Sequence, residues 1–166
     1  MLICVDQLEK LNFGMLMQVY EETNLKGNGQ SGLLDEEQSF YQYLREIFFK
    51  TQSAFYAIWV ENSQYVSALR IEPYKDGLLL AALETKPSQR RKRYASLLID
   101  SVLAMLTDLD PCVRIYAHVH KENIASQRVH VQCGFRKIAD FASFIDGSVS
   151  HDAYTFCFCA DLHARG

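Results

Sequence analysis

Pro87-Ser88-Gln89-Arg90-Arg91-Lys92-Arg93-Tyr94-Ala95 follows the apolar run from Leu78 to Thr85 and opens a stretch in which Tyr94, Leu97, Leu98, Val102 and Met105 recur at helical spacing. The order is strand, basic turn, amphipathic helix. Lys86, Arg90, Arg91, Lys92 and Arg93 crowd the helix start with no acidic residue among them. Unpaired backbone N–H groups and the positive end of the helix dipole already favour anions at such a position, so the segment predicts a phosphate site.

N-terminal to this segment, residues 7–23 place Leu8, Leu11, Met15 and Val19 on a helical stripe, and the chain then breaks in Lys26-Gly27-Asn28-Gly29-Gln30-Ser31-Gly32. Asp35 and Gln38 have capping-box spacing before a second helix carrying Phe40, Leu44, Ile47 and Phe48. Phe55–Val60 and Tyr65–Ile71 read as a hairpin, and Pro73–Gly77 as the turn into Leu78–Thr85. C-terminal to the basic segment, 113–119 reads as a strand, 123–133 as a short helix closed by Gly134, and 135–141 and 154–159 as strands around Asp146-Gly147. With a short N-terminal strand, the order is β-α-α-β-β-β-α-β-α-β-β over residues 1–166 as one domain. The fold class expected is α/β, a mixed, mostly antiparallel sheet with helices on both faces.

A second motif lies in Ile115-Tyr116-Ala117-His118-Val119-His120-Lys121-Glu122-Asn123-Ile124-Ala125-Ser126, followed by His130 and Gly134-Phe135. Together with Arg90-x-x-Arg93-x-Ala95, this arrangement resembles the GCN5-related N-acetyltransferase (GNAT) family. Its pyrophosphate loop reads Arg or Gln, two residues, Gly, one residue, then Gly or Ala. Arg93 stands where that family usually has glycine. The resemblance implies acetyl-CoA as co-substrate, with pyrophosphate over the N–H groups of Arg91, Lys92, Arg93, Tyr94 and Ala95, extending to Arg90 and Ser96. It also implies a pantetheine arm along Leu83–Thr85, in a gap beside the strand carrying His118, and contacts from Asn123 and Ser126. Asn123 and Ser126 also read as helix-capping residues from their spacing alone.

Acetyl transfer to an amine must remove a proton from an ammonium of pKa about 10.4, whereas a thiolate of pKa about 8.5 leaves more readily. His118 is the first candidate base, on a strand face with Tyr116 and His120; a polar residue on a half-exposed face is the bland alternative. Glu84 is the rival base, with simple pairing to Lys86 as its alternative. His130 falls where the family commonly has a tyrosine that serves the leaving thiolate. Space filling on a helix face is the competing explanation. A metal at His118-x-His120 with Cys133 or His130 lacks a clear fourth ligand, so no metal is expected.

Lys+Arg is 17 and Asp+Glu is 20 in 166 residues, a net charge of −3, which argues against a nucleic-acid binder. Acidic Glu21, Glu22, Asp35, Glu36 and Glu37 favour a cationic acceptor, with surface solvation as the simpler alternative. The five cysteines are odd in number, form no Cys-x-x-Cys, and read as small buried hydrophobes in a reducing cytosol. No apolar run approaches the roughly 20 residues of a membrane span, and the N-terminus lacks a signal-peptide pattern, so a soluble cytoplasmic protein is expected. A homodimer is the expectation by resemblance. The functional expectation is an N-acetyltransferase acting by direct attack on a primary amine. A protein or peptide acetyltransferase and a catalytically silent CoA-binding sensor stand as alternatives.

Overall fold

The computed structural model describes residues 1–22 and 30–160, with backbone alone for 30–34. A seven-stranded sheet runs in the order β1 (Leu2–Val5), β2 (Phe55–Glu61), β3 (Gln64–Tyr74), β4 (Gly77–Thr85), β5 (Arg114–His120), β9 (Ala153–Cys159) and β6 (Arg136–Ala139). Every neighbouring pair is antiparallel except β4 and β5. A parallel pair needs a long crossover, and α3 (Tyr94–Leu109) supplies it. The expected α/β class, with its mixed and mostly antiparallel sheet, is what the structure shows.

Helices cover both faces. On one, Leu98, Ile99, Val102, Leu103 and Leu106 of α3 pack on Leu69, Ile71, Leu80, Ile115 and Ala117, with Phe135 behind α4 (Ile124–Gln132). On the other, α1 (Phe13–Val19) and α2 (Gln30–Glu46) bury Leu16, Val19 and Leu44 against Tyr56, Ile58 and Ala68. Alternation along β3 and β5 explains the division, since successive side chains on a strand enter opposite layers.

Local boundaries differ from expectation in instructive places. The first helix is split into a short 3₁₀ turn at Leu8–Lys10 and α1, because the Asn12 side chain accepts from the Met15 N–H and caps a fresh start. α2 begins at Gln30, so Asp35 lies inside the helix and makes no capping box; of the expected loop 26–32, residues 26–29 lie outside the described residues. The buried stripe of α3 is rotated from that expected, with Ile99, Leu103 and Leu106 inside and Leu97 exposed. The strand expected at 135–141 stops at Ala139, and a short hairpin follows, β7 (Ala142–Ser143) and β8 (Val149–Ser150). Cys4 and Cys112 are exposed rather than buried, and all five cysteines are free.

One junction governs the middle of the sheet. β4 pairs with β5 only from Leu78–Leu80 to Ile115–Ala117. β3 keeps its hold on β4 beyond that point, through Ala68 with Glu84 and Ser67 with Thr85, while β5 stays paired with β9 along all seven residues. A bulge opposite Leu69, with Ala82 at φ 52°, turns β4 away with β3. The Tyr20 hydroxyl donates to the Ala82 carbonyl at 2.6 Å and secures this conformation. Two strands following different neighbours must part, and a gap opens after Leu80 and Ala117.

Candidate active site

The gap is a cleft of about 140 Å³ lined by Leu80, Ala82, Leu83, His118, Val119, His120, Asn123, Ser126 and His130. The structure therefore brings together Leu83, His118, Asn123, Ser126 and His130. Glu84 and Thr85, the last residues of β4, and the segment 90–96, which leads into α3, do not line it.

His118 is half-buried on β5 between the rings of Tyr74 and Phe144, with centroids 5.4 and 5.3 Å away. The Thr155 hydroxyl donates to the Phe141 carbonyl at 2.7 Å, so it has only lone pairs to offer His118 Nδ1 at 3.1 Å. The network thus assigns the proton to Nδ1 and a lone pair to Nε2, a buried atom with no hydrogen-bond partner among the described residues. Burial pushes the His118 pKa below its ordinary value; the Ser143 backbone carbonyl opposes this and Lys75 adds to it. A neutral imidazole with a free, desolvated Nε2 is equipped to accept a proton.

His130, on α4, is 2% exposed, against the rings of Phe135 and Phe156. Its Nδ1 lies 2.8 Å from the Ser126 carbonyl, which can only accept, so Nδ1 again carries the proton. Nε2 is buried and unpartnered among the described residues. Burial lowers this pKa too, with the Ser126 carbonyl opposing. Below pH about 6.5 the unfolded imidazole binds a proton that the native one refuses, so stability falls as pH drops from that value towards the depressed native pKa. We expect a loss of at most about 1.4 kcal/mol per pH unit from this group, measured by urea unfolding between pH 7.5 and 5. His130→Phe should flatten the decline.

Asn123 caps α4, its side chain accepting from the Ser126 N–H at 3.0 Å. Glu84 meets Arg90 rather than Lys86; the Arg90 guanidinium bridges Glu22 and Glu84, at 3.7 Å from the latter, and its Nε donates to the Thr85 carbonyl at 3.3 Å. Lys86 reaches Gln18 at 2.8 Å and Lys92 reaches Gln89 at 2.9 Å. Arg91 and Arg93 make no side-chain bond among the described residues.

The backbone of this loop explains the departure at Arg93. Arg91 and Arg93 both adopt the left-handed conformation, at φ 63° and 66°, and Arg93 is the N-cap of α3. Glycine visits that region freely, whereas another residue incurs a cost of roughly 1–2 kcal/mol. The loop keeps the shape that a glycine would allow. Arg93→Gly is expected to raise stability by about 0.5–1 kcal/mol in thermal unfolding, net of the added chain entropy of glycine.

Sequence reasoning missed Tyr20, Ala82 and Thr155. Thr155 acts through β5–β9 pairing and Tyr20 reaches Ala82 across 62 positions, so no local signal marks either. A bulge at Ala82 has no glycine to announce it.

Three comparisons bear on this geometry. The acetyltransferase (GNAT) family profile matches residues 16–135. A search of curated protein sequences returns no significant match. Among solved structures, the chain is similar to the PaiA N-acetyltransferase of Thermoplasma acidophilum in complex with coenzyme A, at 12% identity and TM-score 0.68, covering 96% of this chain and 99% of that one. It is also similar to a spermidine N-acetyltransferase of Vibrio cholerae, at 14% identity and TM-score 0.66, covering 98% and 96%. A ribosomal-protein alanine N-acetyltransferase of Escherichia coli aligns at 15% identity and TM-score 0.62, covering 96% and 94%. At these identities the structures speak for the fold alone. The family match over most of the chain, on a sheet that parts between β4 and β5, places the protein in the GNAT family of acetyl-CoA-dependent acetyltransferases.

Proposed function

We propose that this chain moves an acetyl group from acetyl-CoA to a primary amine by direct attack in a ternary complex. The observation that carries this reading is the cleft after Leu80 and Ala117, lined by two histidines whose buried Nε2 atoms have no partner among the described residues, beside the part of β4 that no longer pairs with β5. Buried polar atoms are rarely left unsatisfied, and those that are call for an explanation such as a ligand.

Acetyl-CoA supplies a thioester carbonyl. Arg91 and Arg93, with the N–H groups at the start of α3, suit its pyrophosphate, while Arg90 holds the loop through Glu22, Glu84 and Thr85. Beyond Leu80, β4 pairs with no strand on its β5 side among the described residues, and the backbone N–H of Leu83 or Thr85 would meet the developing oxyanion there. His118 accepts the ammonium proton at Nε2, and Thr155 holds its ring in the required tautomer. His130 serves the sulfur side. Its Nδ1–H is held by the Ser126 carbonyl and burial lowers its pKa, so it lines the site as a neutral imidazole, and the thiolate leaves as such and takes its proton from water. Glu84, engaged by Arg90, fits a structural part better than that of base. We read residues 1–166 as one acetyltransferase domain.

The left-handed conformation of Arg91 and Arg93 preserves the loop and supports CoA binding, which an enzyme and a silent sensor share; amine-dependent thiol release separates the two. Calorimetry with acetyl-CoA followed by thiol release against an amine panel tests the proposal. Binding followed by amine-dependent release of one thiol per acetyl group is expected; absence of binding at millimolar acetyl-CoA overturns it. His130→Phe should lower kcat more than it weakens CoA binding.

A further inference from the structure

On the hairpin side, His118 stands against the rings of Tyr74 and Phe144. Among the described residues lining the cleft there is no carboxylate. Several acidic groups that would recommend a polycation are engaged elsewhere. Glu22 and Glu84 meet Arg90, Glu72 faces Arg70 at 3.5 Å, and Asp146 accepts from the Ser148 N–H at 2.9 Å and hydroxyl at 2.6 Å. Asp35 and Glu36 are exposed on α2.

Beside His118 stands the β7–β8 hairpin. Its base is tied down: the Tyr74 hydroxyl donates to the Ser143 carbonyl at 2.7 Å, Lys75 donates to the Ser143 hydroxyl at 2.9 Å, and the Thr155 hydroxyl holds the Phe141 carbonyl. Its turn is closed by Phe144 N–H to the Ser148 carbonyl at 2.9 Å and Gly147 N–H to the Phe144 carbonyl at 3.0 Å. On this fixed support Phe141, Phe144, Ile145 and Val149 are 44, 42, 73 and 51% exposed. Four large apolar side chains are exposed within nine residues, denser than the scattered singles ordinary on a surface. Of these, Phe144 stands against the candidate base, its ring 5.3 Å from His118.

We infer that the β7–β8 hairpin selects the acceptor, and that the acceptor is a small primary amine carrying an apolar chain or ring. This rests on the acetyl-transfer reading of the same cleft. An amine presented to His118 Nε2 projects its remainder past Phe144, where an apolar body covers exposed ring and Ile145. A polycation would meet Lys75 and imidazoles beside His118, while the Asp146 carboxylate at the hairpin turn already accepts from the Ser148 N–H and hydroxyl.

The test is calorimetric titration of the CoA-saturated protein with butylamine, hexylamine, octylamine and spermidine. Each methylene packed on the hairpin should tighten binding about two- to fourfold, so octylamine should bind at least about tenfold more tightly than butylamine. Phe144→Ala and Ile145→Gln should each flatten that slope, a change that general loosening of the fold does not produce; CoA titration of the same variants reports that they are folded. A flat slope, spermidine binding more tightly than octylamine, or a slope untouched by both variants overturns the inference. So does a tenfold preference for a peptide with an apolar N-terminal residue over octylamine. Thiol release in the same series separates the two readings. Graded binding without release from any amine overturns acetyl transfer and leaves the apolar site standing, whereas release ranked in favour of spermidine overturns the apolar site and leaves acetyl transfer standing.

Discussion

His118→Ala is expected to lower kcat/KM for an alkylamine by about 10²- to 10³-fold near neutral pH, the range over which a positioned general base operates. The pH profile identifies the cause. With His118 present, the rate rises through an ionisation below pH 6.5, because burial depresses the imidazole pKa and the neutral form is the base. It then holds level, since the bound ammonium is deprotonated on the enzyme. Without His118 the amine must lose its proton to solvent. The variant's rate should therefore climb about tenfold per pH unit towards the amine pKa of about 10, and the deficit should shrink as it climbs. A variant profile parallel to the original at all pH values would sink the assignment. Thr155→Val provides a graded companion: the Nδ1–H loses its acceptor, so the ring loses its fixed tautomer, while the fold keeps a residue of similar shape.

Gly77→Ala should be the most damaging small substitution in the sheet. A Cβ at Gly77 would lie 2.1 Å from the Arg114 carbonyl oxygen and 2.9 Å from its carbon, both backbone atoms of β5. Nothing flexible can yield there. β4 and β5 share only three paired positions, immediately after this glycine, and Asp76 ties the same corner to Arg114 at 2.8 Å and to Tyr116 at 2.6 Å. Overpacking at such a contact costs about 3 kcal/mol, which for a chain of this length lowers Tm by roughly 6–12 °C. Gly147→Ala is the control. Gly147 has φ 86° and open space around a would-be Cβ, so only backbone strain of about 1 kcal/mol is incurred. Equal losses at the two glycines would refute the steric argument.

These two residues also show where the sequence was legible. The sequence predicts the turn at Pro73–Gly77, but its positive φ belongs to Lys75, at 45°, and Gly77 is required for the closeness of β5. Turn chemistry is local, whereas the approach of a strand nearly 40 residues away is not. His118 was placed on the correct face by alternation alone, opposite Ile115, Ala117 and Val119, all of which are buried. Its tautomer was not readable, because that depends on β9 bringing Thr155 alongside. Asn123 was read as a cap and is one, since capping is decided within three residues.

The sequence by itself determined the α/β alternation, the helix after the third strand of the middle run, the basic turn at 86–93 and the capped helix after His120. Each rests on periodicity or on contacts a few residues apart, which are properties of the chain as written. The tertiary structure alone decided that β4 leaves β5 after Leu80, that Tyr20 holds the bulge at Ala82, that Arg90 is engaged by Glu22 and Glu84, and that Phe144 stands against His118. All four are meetings of residues distant in sequence. They are settled by which strand each element pairs with and which way the sheet turns, and no local pattern of side chains encodes that choice.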